Sequence, residues 1–242
     1  MRLLTLNVLM RGERRARLRV LGGLLDAYDV VCLQELVFRA DIGLVGGGFA
    51  HRVAEGRGLV RGGLVVLSRW PVGGGGFRGY AVGRPVRGEW LMRKGVQRVE
   101  VRAPFGDVTV VNTHLTANRD GDWSAGNRYS GVQRGELARL GEVVAGIGGR
   151  VVVAGDFNVP RESSELAAFA AAAGVTDLLE GRTEPTFRPT AKWPSPPALD
   201  QVYTRGLKGR ARLVMRDEVR LARGRTAYLS DHFGIAAELQ PP

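Results

Sequence analysis

The sequence predicts an α/β fold of four layers, in which two mixed or antiparallel sheets pack together and helices cover both outer faces. Three observations predict it. Predicted strands outnumber predicted helices, and fully apolar strands such as residues 151–154 occur beside alternating ones such as 96–102. No Pro/Ser-rich linker or block of charge divides the 242 residues. We therefore expect a single domain over residues 1–242, long enough to bury a sizeable core.

The first half of the chain predicts three buried strands and a helix. The apolar runs of strand length are residues 3–8, 29–33 and 63–68. Leu18, Leu21 and Leu25 recur at helical spacing within residues 13–27, and residues 69–71 read as a turn. The four glycines at 73–76 predict a flexible link, because they lack the strand-to-helix context and the Lys-Ser/Thr pair of a phosphate-binding loop.

The second half predicts a hairpin followed by alternating helices and strands. Residues 96–102 and 107–112 are hairpin partners across the turn 103–106. A surface loop (119–130) is predicted next, followed by a helix that has Leu137, Leu140, Val144 and Ile147 on one face and ends at Gly148 and Gly149. The remaining predicted elements are a central strand (151–154), an Ala-rich helix (162–173), a proline-rich loop (183–197) and closing strands (199–204 and 232–239). Residues 189–197 fit either a wall of a substrate cleft or a rigid connection.

The chain is strongly basic, with a net charge of +11. Its 35 basic residues include only three lysines (Lys94, Lys192 and Lys208), so 32 are arginines. Arginine binds phosphate bidentately, so this composition favours polyanions such as nucleic acid or anionic lipid headgroups. The alternative is a compositional habit, because the arginines are spread along the chain rather than clustered.

Cysteine usage and apolar runs predict a cytoplasmic monomer. Cys32 is the only cysteine, so no intramolecular disulfide forms, and its apolar surroundings predict a buried, inert side chain. A strand that begins at the first residues leaves no room for a signal peptide, and no apolar run reaches membrane-spanning length. Trp90, Leu91 and Met92 form the candidate tip for peripheral membrane contact.

Polar side chains occur where the predicted strands end. They are Asn7, Gln34, Glu35, Asn112, Thr113, His114, Asp156, Asn158, Asp200, Ser230, Asp231 and His232. If every one follows a strand, the tips meet at one rim, where an α/β scaffold places its site. Carboxylate and amide oxygens suit Mg²⁺, or Mn²⁺ in its place. Zinc is disfavoured, because the chain has only three histidines (His51, His114 and His232) and no cysteine pair.

Six motifs in this order resemble the endonuclease/exonuclease/phosphatase superfamily over nearly the whole chain. They are Asn7, Leu33-Gln34-Glu35, Asn112-Thr113-His114-Leu115, Gly155-Asp156-Phe157-Asn158, Leu199-Asp200-Gln201-Val202 and Ser230-Asp231-His232. The resemblance implies a Mg²⁺-dependent phosphoesterase. It implies Glu35 as principal metal ligand with Asn7 beside it, and Asp231 as a supporting carboxylate near a second metal.

The resemblance also implies roles in the hydrolytic step. Asp156 would be the general base, and Asn158 would orient the water or a phosphate oxygen. His232 and His114 would stabilise the phosphoryl oxygens, and Asp200 would orient the His232 imidazole. Two further residues are expected to bind substrate, Lys94 and Asn118, although a solvated surface charge is the alternative for Lys94.

Motif details are closest to the neutral sphingomyelinases. Abasic-site nucleases of the superfamily carry a Tyr-Val-Pro-Asn-like sequence where this chain has residues 112–115. Residues 63–72, the Lys94-Gly95 step and Gln133 with Glu136-Leu137 are similar to sphingomyelinase segments, whereas a leader and a long apolar hairpin are absent. The sequence therefore predicts hydrolysis of a lipid headgroup or small phosphodiester. The alternative is a nuclease or nucleotide phosphatase acting on DNA or RNA. A binding module without activity is disfavoured, because no catalytic position is substituted.

Overall fold

A computed structural model describes residues 1–80 and 93–242. In chain order its strands are β1 (Arg2–Asn7), β2 (Val30–Gln34), β3 (His51–Val53), β4 (Val65–Ser68), β5 (Val72–Gly79), β6 (Gly95–Ala103), β7 (Gly106–His114), β8 (Arg150–Asp156), β9 (Thr176–Asp177), β10 (Asp200–Arg205), β11 (Lys208–Val214), β12 (Glu218–Arg220), β13 (Thr226–Tyr228) and β14 (Gly234–Gln240). The α-helices are α1 (Arg14–Leu24), α2 (Ile42–Val45), α3 (Arg128–Ala145) and α4 (Ser164–Ala173). None of the helices described is long and apolar enough to cross a membrane.

Two six-stranded sheets form the centre of the fold. The first has the order β11-β14-β1-β2-β4-β3 and the second β5-β6-β7-β8-β10-β9, while β12 and β13 form a separate pair. In each large sheet a parallel pair, β1–β2 or β7–β8, is flanked by antiparallel strands. Helix α1 packs on the outer face of the first sheet, and α3 and α4 pack on the second. The predicted four-layer sandwich is therefore confirmed.

The core lies in three layers, as the apolar patterns require. Alternate side chains of β1 and β2, such as Leu3 and Cys32, point between the sheets, and their neighbours Leu4 and Val31 point toward α1. Cys32 is fully buried, and burial raises the pKa of its thiol. This environment agrees with the prediction that the Cys32 side chain is buried and unreactive.

Two polar side chains cross the otherwise apolar layer between the sheets. The Asn112 amide of β7 donates to the carbonyls of Leu33 and Val65 in the first sheet, at 3.1 and 3.2 Å. Gln34 Nε2 donates to Asn112 Oδ1 at 2.8 Å. Both side chains are fully buried. These two predicted polar tips therefore join the sheets and do not line a site.

The prediction of a flexible link at the four glycines 73–76 is wrong. They lie in β5, which pairs with β6 as the edge strand of the second sheet. A Cβ at Gly75 would lie 2.4 Å from the carbonyl oxygen of Arg98, so the close pairing requires glycine there. The hydrogen bonds of an edge strand join backbone groups and need no side chains. A run of glycines can therefore form a strand, although its composition indicates a flexible link.

Two other expectations shift in detail. Helix α3 begins at Arg128, inside the predicted loop 119–130, because the Asn127 side chain caps it by accepting from the amide of Tyr129. The proposed membrane tip at residues 90–92 lies outside the described residues.

Candidate active site

One rim of the sandwich collects the predicted polar residues, but not by the route the sequence predicts. Asn7, His114 and Asp156 end strands, whereas Asp200 is the first residue of β10 and residues 230–232 precede β14. The expectation that every tip follows a strand is therefore wrong for the last two motifs. Because β10 runs antiparallel to β8 and β14 to β1, their beginnings lie at the same rim, and Asp200 pairs directly with Asp156.

Glu35 is held by the loop after β1. Its Oε2 accepts from the backbone amide of Met10 at 2.9 Å, and its Oε1 from Asn7 Nδ2 at 3.3 Å. Glu35 has a φ of 61°, a conformation that costs a non-glycine residue free energy and is often found at functional sites. A Cβ at Gly63 would lie 3.1 Å from the Glu35 Cα, so a glycine neighbour leaves room for this turn.

Glu35 is ionised in this environment. Burial alone raises the pKa of its carboxyl, but the nearby His114 and Lys94 and the Met10 amide lower it below its ordinary value. Its carboxylate oxygens therefore carry a full charge at the cleft.

Asp156 is the centre of the polar network. Its Oδ2 accepts from Asn7 Nδ2 at 3.0 Å and lies 3.2 Å from His114 Nε2, and its Oδ1 accepts from the amide of Asn158 at 3.0 Å. Burial opposes its ionisation, but the charges of His232 and His114 prevail and hold the pKa of Asp156 well below its usual range. The Asp156 carboxylate is thus fixed in place and ionised.

His232 hydrogen-bonds to Asp200 through its Nδ1. Its Nδ1 lies 2.9 Å from Asp200 Oδ2, and its Nε2 points toward Asp156 Oδ2 at 3.7 Å. Thr186 Oγ1 accepts from the amides of Leu199 and Asp200 and so fixes the start of β10. Burial disfavours a charged imidazole, but Asp200 and Asp156 overcome this and raise the pKa of His232 to about 10. His232 is therefore a hydrogen-bond donor at Nε2.

Lys94 and His114 form a hydrogen-bonded pair beside Asp156. The Lys94 ammonium hydrogen-bonds to His114 Nε2, the same nitrogen that faces Asp156. Both side chains are buried, although they come from the start of β6 and the end of β7. This placement favours the predicted substrate contact of Lys94 over a solvated surface charge.

Asn158 is fixed by a hydrogen-bond network. Its side-chain amide donates to the carbonyl of Leu115 at 3.0 Å, and its φ of 53° is another positive value at this rim. Its carbonyl accepts from Trp123 Nε1 and from Gln133 Nε2. Gln133, singled out in the sequence, therefore supports Asn158 from helix α3.

These residues share one cleft of about 620 Å³. The predicted site residues that line it are Asn7, Glu35, Lys94, His114, Asn118, Asp156, Asn158, Asp231 and His232. Asp200 contacts His232 but does not line the cleft. Asn118 lines the cleft edge, and its side chain also organises its own loop by bonding to the backbone of Asp120 and Asp122.

Among the charged and aromatic residues that line the cleft, sequence reasoning did not assign Arg11, Arg119 and Phe187, and it included Trp193 only within residues 189–197. The ring of Phe187 contacts that of His232 edge to face at 5.1 Å, and it contacts Trp193 at 5.3 Å. Trp193 in turn stacks on Trp123 at 6.3 Å. We call Trp123, Phe187 and Trp193 the aromatic wall. Residues 189–197 fit either of two readings by sequence, and the position of Trp193 favours the cleft wall.

The donor set suits a hard divalent cation. Glu35 presents ionised oxygens at the cleft, with the Asn7 amide beside it and the Asp231 carboxylate on the same lining. Asp156, Asp200 and His232 also place ligand atoms within 4.8 Å of one another. However, His232 and Asp200 already bind each other, and a protonated imidazole is not a metal ligand. Glu35 and its neighbours therefore fit a metal better.

Several solved structures share this fold. Beta toxin from Staphylococcus aureus, F277A, P278A mutant with bound magnesium ions, has a TM-score of 0.75 at 17% identity, covering 98% of both chains. Sphingomyelinase C from Streptomyces griseocarneus has a TM-score of 0.72 at 20% identity, covering 98% of both. D. rerio TDP2 complexed with single strand DNA product has a TM-score of 0.74 at 18% identity, covering 99% of this chain and 98% of the other.

Comparison of the sequence with known proteins identifies a family but no individual relative. No curated protein matches the chain. The model of one family, described as Endonuclease/Exonuclease/phosphatase family, matches residues 4–232. The match spans every motif from Asn7 to His232, and the family consists of phosphoester-hydrolysing enzymes that depend on a divalent metal. The chain therefore belongs to the endonuclease/exonuclease/phosphatase family and is a metal-dependent phosphoester hydrolase.

Proposed function

We propose that this enzyme is a Mg²⁺-dependent phosphodiesterase that hydrolyses a lipid headgroup or a similarly small phosphodiester, and that Asp156 activates the attacking water. The observation that best supports this proposal is the position of the Asp156 carboxylate. It is buried between His114 and His232 and is held by Asn7 and the backbone amide of Asn158. This carboxylate faces the cleft, and the His114 and His232 side chains on either side of it can stabilise the charge that develops on the phosphoryl group.

Asp156 acts as the base in two stages. In the free enzyme its pKa is low because His232 and His114 stabilise the carboxylate. When a substrate phosphate binds, its oxygens take up the hydrogen bonds of these histidines, and the Asp156 carboxylate loses part of that stabilisation. Its pKa then rises toward the range that suits a general base. Asn158 orients the water beside it.

His232, His114 and Lys94 stabilise the negative charge that develops on the phosphoryl oxygens. Asp200 keeps the proton of His232 directed at the cleft by accepting from Nδ1. Such preorganised donors contribute more in a buried site than in water, about 2.7–4 kcal/mol each when removed. Lys94 directly precedes β6, His114 ends β7 and His232 lies in the segment before β14, so the fold itself sets their spacing.

Glu35, with Asn7 beside it and Asp231 as a supporting carboxylate, would hold Mg²⁺, for which Mn²⁺ is an alternative. Bound there, the cation would neutralise phosphate charge and help to orient the substrate. The backbone of Met10 and the amide of Asn7 fix the Glu35 carboxylate for this purpose.

The aromatic wall supports a choline-type lipid headgroup. Phe187 and Trp193 present rings next to His232, and the Asp231 carboxylate lines the same cleft. A quaternary ammonium is attracted by aromatic faces and by a carboxylate. This combination favours a sphingomyelinase-like substrate, in agreement with the motif details of the sequence.

A second candidate is a nuclease acting on DNA or RNA. Arg11 and Arg119 line the same cleft, and the whole chain carries a net charge of +11. Guanidinium groups at a phosphodiester cleft suit a polyanionic strand, and the aromatic wall would then stack a base.

A substrate panel with a Trp193→Ala variant tests the proposal. Wild-type enzyme in Mg²⁺ is offered sphingomyelin micelles, single-stranded RNA, plasmid DNA and bis-p-nitrophenyl phosphate. We expect sphingomyelin to be cleaved, and Trp193→Ala to raise its KM by about tenfold, which corresponds to 1.4 kcal/mol of lost cation–π and packing contact. The kcat for bis-p-nitrophenyl phosphate should be unchanged, because that ester has no headgroup. Cleavage of nucleic acid with no action on sphingomyelin would replace the first candidate by the second.

A further inference from the structure

A basic groove lies at the opposite end of β1 from the cleft. Its volume is about 600 Å³, and its lining comes from β1, the segment after α1, the loop after β9, β11 and β14. The charged and aromatic side chains of this lining are Arg2, Tyr28, Arg182, Arg210, Arg212 and Glu238. Arg2 and Asn7 are the two ends of β1, so roughly 17 Å of strand separates the groove from the catalytic rim, at ~3.3 Å per residue.

The groove carries an excess of positive charge. Arg2 pairs with Asp29 at 3.4 Å, and Arg210 pairs with Glu238 at 2.6 Å. The guanidinium groups of Arg2 and Arg210 are solvent-exposed, so these pairs contribute little stability and leave both arginines accessible to another anion. Within residues 1–80 and 93–242, neither Arg182 nor Arg212 has a carboxylate at ion-pair distance. Two positive charges therefore remain uncompensated.

Both of these arginines are carried by ordered backbone. The carbonyl of Arg182 accepts a hydrogen bond from Arg161 at 3.0 Å, and Arg161 is a nearly buried guanidinium that also pairs with Asp177 at 3.4 Å. Arg212 lies in β11, where it pairs with Ala236 of β14. The positions from which the two side chains extend are thus fixed by the sheet and by a buried ion pair.

We propose that this groove binds the phosphate backbone of a single-stranded nucleic acid. Arginine guanidinium groups match phosphate oxygens bidentately, and a groove with several of them follows a strand of regularly spaced phosphates. The half-buried ring of Tyr28 in the same lining offers a surface on which a base stacks.

The position of the groove argues against a membrane as its occupant. The large apolar side chains that are exposed among the described residues are Leu24, Phe38, Leu59 and Tyr228, and none of them lines the groove. Apolar groups that enter the bilayer strengthen the attachment of a protein surface to a membrane, and this groove offers none of those four. A flat bilayer on the groove would also leave the cleft, at the other end of β1, facing away from it. A flexible strand has neither restriction.

This binding site is independent of the proposed function. No residue of the groove belongs to the catalytic cleft, and nothing in the argument depends on which phosphodiester is cleaved. Binding is therefore measured separately from hydrolysis, with the metal removed.

The test is fluorescence anisotropy of a labelled short oligothymidylate in EDTA at several salt concentrations. The full chain is compared with the double variant R182A/R212A and with the matched control R19A/R220A, which removes the same charge from exposed arginines outside the groove. We expect R182A/R212A to bind about tenfold more weakly and to reduce the slope of log K against log salt by about 1.4, for two lost phosphate contacts. The control should remain close to wild type.

Several outcomes would overturn the proposal. They are no binding by the wild type, equal weakening by both double variants, and groove-dependent binding of phosphatidylserine vesicles without binding of the oligonucleotide. Hydrolysis of bis-p-nitrophenyl phosphate in Mg²⁺ is measured in parallel and should be the same for R182A/R212A and wild type. If the wild type did not hydrolyse bis-p-nitrophenyl phosphate, the proposed function would be contradicted, and the result of the binding experiment would still stand.

Discussion

Replacing Asp156 by asparagine is expected to lower kcat for bis-p-nitrophenyl phosphate by about 10²–10⁴, the usual contribution of a general base. The substitution keeps the shape of the side chain and an oxygen for the Asn158 amide. It removes the negative charge and the ability to accept a proton from water. Steady-state kinetics in Mg²⁺ measure the effect.

The matched control for Asp156→Asn is Asp122→Asn, the same chemical change at an exposed carboxylate of the loop before α3. The control should retain the wild-type kcat. The thermal unfolding of the Asp156 variant should remain cooperative, so that lost activity is not lost fold. Full activity of Asp156→Asn would eliminate Asp156 as the base.

Replacing Asn112 by leucine is expected to lower the free energy of unfolding by about 2–4 kcal/mol, because buried polar groups lose their partners. The carbonyls of Leu33 and Val65 each lose a hydrogen bond, and Gln34 Nε2 loses its closest acceptor. Urea unfolding measures the change.

A double-mutant cycle sharpens this prediction. Gln34→Leu together with Asn112→Leu removes both ends of the bridge between the sheets, so the double variant should lose clearly less stability than the sum of the single variants. Strict additivity would show that the two side chains do not interact. Gln240→Leu, at an exposed position of β14, is the matched control and should change stability little.

The fold was predictable because its signals are local. Apolar runs such as 30–33 and 151–154 are long enough to identify strands buried on both faces, and the spacing of Leu18, Leu21 and Leu25 identifies α1. The glycine-rich β5 was missed because its pairing with β6 is a tertiary interaction between backbones. No side-chain pattern records such an interaction.

The candidate site was predictable in membership but not in detail. Motif order identified Glu35, Asp156 and His232, which do share one cleft. The same reasoning could not separate Asn112, which bridges the sheets, from His114, which faces the cleft two residues later. That difference depends on the packing of β7 against the first sheet.

The sequence gives little indication of the cleft residues that lie outside the six motifs. Arg11 and Arg119 are two among 32 arginines, so nothing in the sequence distinguishes them. Phe187 lies in the proline-rich loop, and its contact with His232 depends on an isolated pairing of these two residues across the end of the sheet.

The most direct test of the central claim is the Mg²⁺ dependence of hydrolysis in wild type and in Glu35→Gln. The account predicts that EDTA abolishes turnover of bis-p-nitrophenyl phosphate and that Mg²⁺ restores it. It also predicts that Glu35→Gln needs about 10–100 times more Mg²⁺ for half-maximal rate, because the charged oxygens at the cleft are lost. Turnover that persists in EDTA, or an unchanged Mg²⁺ requirement in Glu35→Gln, would contradict a metal-dependent hydrolase centred on these residues.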